Sequence, residues 1–121
     1  MAHAALHFAF GMTVGMAAAA PRLRRAWQAG KTIAPATVHW MGSAWAMGAF
    51  AIIPSLLRFS GVPESVCGGW WMNLFLLHPL MNASLPQSTI VGSTAFMGLF
   101  VLQYLIILAA IARVRRGPGH V

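Results

Sequence analysis

Five histidines, one acidic residue and one cysteine are the side chains in this sequence best suited to ligate or to titrate. Two of the histidines open a regular series: His3, His7, Gly11, Gly15 and Ala19 recur at every fourth position. On a helix that spacing makes one slowly winding stripe. An imidazole with small residues one and two turns away suits a flat tetrapyrrole, since the nitrogen reaches the metal and no side chain blocks the ring. His7, His39 and His78 are therefore the candidate axial ligands to a haem or a (bacterio)chlorophyll. His39 has an aromatic setting in Trp40 and Trp45, and His78 precedes Pro79. The same stripe has a second reading without any ring. Gly11-x-x-x-Gly15 is a small-xxx-small motif that lets another helix backbone come close, with the histidines at its interfacial end.

Other chemistry is sparse. A single carboxylate, Glu64, excludes paired-carboxylate catalysis within the chain, and the lone Cys67 forms neither an internal disulfide nor a cysteine-rich zinc site. The sequence contains no serine-histidine-acid set, phosphate-binding glycine loop or His-Glu metal motif, and its apolar segments carry no carboxylate. Autonomous catalysis and proton pumping are not expected.

These residues must be held by membrane helices. Of the 121 residues 59% are hydrophobic and 7% charged, against about 25% charged in a soluble domain. A chain this short cannot build a polar exterior from that composition, whereas a lipid-facing exterior is apolar by nature. The expected fold is an all-α integral membrane protein forming one membrane domain. Its three transmembrane helices cover about 2–20, 38–57 and 89–112, with a short interfacial or re-entrant helix over about 70–81. That last run is closed by His78-Pro79 and, at about 18 Å, is too short to span. The first run has an alanine-rich end like a signal peptide. However, no basic residue precedes it and Pro21 and three arginines follow, so it reads as an uncleaved helix.

The net charge is +7, and seven of the eight basic residues fall into two clusters, Arg22, Arg24, Arg25 and Lys31, then Arg113, Arg115 and Arg116. Each follows an apolar run, the placement of topology determinants in a multi-pass protein of the cell inner (cytoplasmic) membrane. With three spans both clusters share the cytoplasmic face, which puts the N-terminus outside and the C-terminus inside. Nucleic acid is not an expected partner.

Small residues recur on the other spans too, as Ala44 to Gly48 on the second and Ser88 to Gly92 and Thr94 to Gly98 on the third. Gln103 and Tyr104 near the middle of the third should face protein or ligand. Gly11, Gly15, Gly48, Gly98 and Gln103 are thus the expected helix-packing residues. Three helices can satisfy only some of these faces among themselves. The function expected on these grounds is a small accessory subunit of a larger membrane complex, photosynthetic or respiratory, packed against other integral membrane subunits, lipids or pigments. A haem- or chlorophyll-binding electron-transfer or light-harvesting subunit is one alternative, and an oligomeric pore or small transporter another.

Overall fold

The computed structural model describes residues 2–30, 33–67, 69–75 and 89–115, with only the backbone of Ala2, His3 and Thr89. Three long helices make up most of it: α1 (Ala2–Gln28), α2 (Ala34–Phe59) and, after a short α3 (Glu64–Cys67) and a 3-10 segment (Trp70–Leu74), α4 (Thr89–Arg115). Each long helix is apolar and long enough to cross a membrane, and the chain is a multi-pass membrane protein. At 27, 26 and 27 residues they measure about 40 Å each, longer than the roughly 30 Å hydrocarbon layer, so their ends reach the headgroup region.

All three exceed the spans drawn from sequence. Where the hydropathy pattern ends the first helix near residue 20, α1 runs on through Pro21 to Gln28. Proline deletes one backbone donor, and the following Leu, Ala and Arg residues are good helix formers once the hydrophobic run has nucleated the helix. Gly30, at φ 63°, then takes the left-handed conformation that ends the segment. The second helix begins four residues early because Pro35 sits in its first turn, where a missing N–H costs nothing.

At its far end α2 closes in a Schellman motif. Val62 N–H donates to the Leu57 carbonyl and Gly61 N–H to the Arg58 carbonyl, both at 3.1 Å, and Gly61 supplies the required positive φ of 89°. The chain then turns at Pro63 into α3. The 70–81 segment is described only to Phe75: it is a five-residue 3-10 segment, with Trp70 85% exposed. No re-entrant helix is seen among the described residues, and residues 76–81 of the segment lie outside them. The Phe75 ring meets Phe50 at 4.9 Å and ties this segment to α2.

Helix directions follow from the contacts. Gly11 lies against Met47, Gly48 and Ala51, and Gly15 against Ser43 and Ala44, so α1 and α2 are antiparallel. Phe8 meets Phe96 and Trp27 meets Arg113, so α4 runs parallel to α1. The first helix packs against both others, while α2 and α4 share much less surface. The core is Met12, Met16, Ala19, Trp40 and Ala44, rimmed by Phe8, Leu23, Met41, Phe96, Leu99 and Ile106.

Candidate functional site: the close-approach faces and the histidines

Absence of side chains is what brings α1 onto α2. A Cβ built on Gly11 would lie 2.8 Å from Ala51 Cβ and Gly48 Cα, and one on Gly15 would lie 2.8 Å from Ala44 Cα. Both would also strike backbone carbonyls, of Met47 and Ser43 respectively. These are backbone contacts that no side-chain rotation can relieve. Gly48 faces the same seam from α2, and a Cβ there would meet Phe8 and Met12 side chains at 3.0 Å. The close approach also lets the Trp40 indole N–H donate to the Met16 carbonyl at 3.0 Å in a buried bond. That carbonyl is in mid-helix, and its second lone pair takes the extra donor.

Gly98 is placed differently. It is exposed, and a Cβ on it would meet nothing within 4 Å. On α4 the inward stripe is Gly92, Phe96, Leu99, Gln103, Ile106 and Ala110, buried or half-buried at helical spacing. Thr94 and Gly98 lie on the opposite side, both exposed.

Gln103 is 3% exposed. Its Oε1 accepts the Trp45 indole N–H at 3.1 Å, and its Nε2 has no partner among the described residues. Sequence alone requires that a mid-span amide find a partner, but nothing pairs it with a residue 58 positions earlier. Phe8 links the same junction, edge-on to Trp45 at 5.5 Å and to Phe96 at 5.6 Å. Tyr104 faces outward and is exposed.

Of the candidate ligands, His7 and His39 do not come together. His7 is 2% exposed, inside the bundle, and His39 is exposed at the opposite end near the start of α2. His78 lies outside the described residues, and for His3 only the backbone is described. Among the described residues no three His, Cys, Asp or Glu side chains come together as metal ligands. The surface in front of Gly11 and Gly15 is filled by α2 backbone. A flat tetrapyrrole ligated by His7 therefore has no room on that face while the two helices are together.

The described members of the two basic clusters lie at one end of the bundle. The Arg113 guanidinium stacks over the Trp27 ring, 5.1 Å from its centroid, and donates to the Trp27 carbonyl at 2.9 Å. This joins the last turns of α1 and α4. Glu64 sits at the other end of the bundle, where it pairs with Arg58 at 2.9 Å. No protein-family model, curated protein or solved structure matches this chain.

Proposed function

We propose that the chain is a small accessory subunit of a larger membrane protein complex, holding other integral membrane subunits and lipids in place rather than performing chemistry. The observation that carries the reading is the division of small residues between two faces. Gly11, Gly15 and Gly48 are spent on the α1–α2 seam, whereas Thr94 and Gly98 give α4 a close-approach face that none of the described residues covers. Membrane helices associate through such faces because small residues let backbones approach and gain van der Waals contact. Most of the α4 surface is apolar and exposed, which fits a helix set between lipid and a neighbouring subunit. In the orientation we favour, the basic end of α1 and α4 faces the cytoplasm and Arg58 to Trp71 the outside, in accord with the positive-inside tendency.

The test is native electrophoresis of the complex extracted in mild detergent, with Gly98→Leu and Thr94→Leu beside the wild type. The expected result is a heteromeric band that loses this subunit in both variants, while the purified variants keep wild-type helicity and melting. A chain that migrates only as a monomer or as copies of itself would overturn the proposal, and solute flux through liposomes containing it alone would favour the pore.

A further inference from the structure

The basic end of the bundle holds Arg22, Arg24 and Arg25 on α1 and Arg113 and Arg115 on α4, all exposed. The only acidic side chain in the sequence is Glu64, and it is paired with Arg58 at the far end. Two helix C-termini also meet here, but each carries only about half a negative charge. Five guanidinium groups outweigh them. The electrostatics of this end therefore attract anions.

The shape says where one sits. On the face of α1 turned away from α2 and α4, the exposed residues Ala17, Ala20, Pro21, Arg24, Arg25 and Gln28 line an open surface cleft formed by that one helix. They fall on one side of the helix by their spacing of three and four. The cleft is chemically graded along the helix axis. Its deeper part is floored by two alanines and a proline ring, and its outer part carries two guanidiniums and an amide. From Ala17 to Arg24 the axial rise is about 10 Å, which takes the cleft from the hydrocarbon into the headgroup layer. A free anion needs only the outer part. An amphiphile with a charged head and a hydrocarbon tail matches both.

We propose that this cleft binds one anionic phospholipid, with its phosphate held by Arg24 and Arg25 and an acyl chain laid over Ala17 and Ala20. Arginine suits the role because its planar fork offers paired, charge-assisted hydrogen bonds to phosphate oxygens. Arg113 is not part of this site, since its guanidinium is engaged with Trp27. The site is on a different helix from the Gly98 face and does not depend on what covers α4. It rests on the three helices spanning a bilayer.

The experiment uses the full chain in nanodiscs of equimolar phosphatidylglycerol and phosphatidylcholine, released into detergent at raised salt to screen diffuse attraction, with retained lipid counted by native mass spectrometry. The wild type is expected to keep one phosphatidylglycerol per chain, and the Arg24→Gln/Arg25→Gln double variant to lose at least tenfold of that retention. Arg22→Gln/Arg115→Gln removes the same charge from the same end but lies outside the cleft, and is expected to stay within twofold of wild type. Ala20→Leu fills the apolar floor and is expected to lower lipid retention while leaving binding of inorganic phosphate, measured separately, unchanged. Equal loss in the two double variants would mean diffuse charge and overturn the site. Equal retention of the two lipids, or displacement of the lipid by millimolar inorganic phosphate, would also overturn it. A chain that fails to incorporate into nanodiscs would overturn the membrane reading itself.

Discussion

Trp45 donates its indole N–H to Gln103 Oε1 across 3.1 Å, joining the two long helices that share least surface. The bond is asymmetric in its consequences. Gln103 is buried and its Nε2 has no partner among the described residues, so replacing the amide by a thioether removes a bond and an unpaired donor group together. Trp45→Phe instead leaves the whole amide unpaired, the costlier situation. Unfolding of the purified chain should show Gln103→Met to be less destabilising than Trp45→Phe. The double-mutant coupling should be about 0.6 kcal/mol, the average for intramembrane hydrogen bonds. Equal single-mutant effects with no coupling would mean that this bond does not join α2 to α4.

The glycines divide by what faces them. Gly11→Ala and Gly15→Ala place a methyl group against α2 backbone, so the seam must open. A loss of about 1–3 kcal/mol is expected, the overpacking range when backbone must shift. Gly98→Ala meets nothing and should be neutral or stabilising by up to about 1 kcal/mol through helix propensity. Thermal melts in one detergent measure all three, and similar melting temperatures would contradict the packing described here.

The period of four at Gly11 and Gly15 is readable in the sequence because close helix approach imposes it, and the three apolar runs are readable because lipid imposes them. The identity of the facing residues is not, since Met47, Gly48 and Ala51 are selected by the crossing of two helices rather than by any local pattern. Gly98 has the same local signature as Gly11 but faces outward, and only the packing of Phe96, Leu99 and Gln103 toward α1 and α2 decides that. The end of α1 misleads for a related reason. Hydropathy marks where lipid stops, whereas the helix continues into the headgroups on the propensity of its arginines and alanine. Convergence of Trp27 and Arg113, 86 positions apart, follows from three-span parity in outline, but not as a cation–π contact.

The Arg58–Glu64 pair is short, at 2.9 Å, but its side chains are 62% and 75% exposed. Solvent screening and the entropy of holding two long side chains leave such pairs with about 0–1 kcal/mol. Glu64→Gln should therefore change the unfolding free energy by less than about 1 kcal/mol. A larger loss would show that the pair also holds the Gly61–Cys67 turn against α2.

Cys67 lies at the end of the bundle opposite Arg25 and Arg113. It is buried, with its Sγ 3.9 Å from the Val62 carbonyl. Two results are expected from a membrane-impermeant thiol reagent applied to cells and to inverted vesicles. Labelling should be slow in the native protein and fast after denaturation, and any native labelling should come from the outer side. Labelling from the cytoplasmic side alone would invert the proposed orientation.

His7 separates the structural reading of the α1 stripe from the pigment reading. It is 2% exposed, and the glycine face beside it is occupied by α2. His7→Ala removes a buried side chain and leaves a space, so a loss of about 1–3 kcal/mol in the isolated chain is expected from the lost packing and polar contact. It should leave the subunit in its complex, because the Gly11 and Gly15 contacts with α2 do not involve the imidazole. Gly15→Leu should do the reverse, separating α1 from α2 while the imidazole is intact. The visible absorption of the parent complex, recorded for both variants, decides between the readings. An unchanged spectrum in His7→Ala with an altered assembly in Gly15→Leu is the expected outcome. Loss of a tetrapyrrole band in His7→Ala, with helicity and assembly preserved, would place a metal-bearing ring at His7. It would also require α1 and α2 to part in the assembled complex, since with Met47 and Ser43 carbonyls against the two glycines the ring has nowhere else to lie on that face.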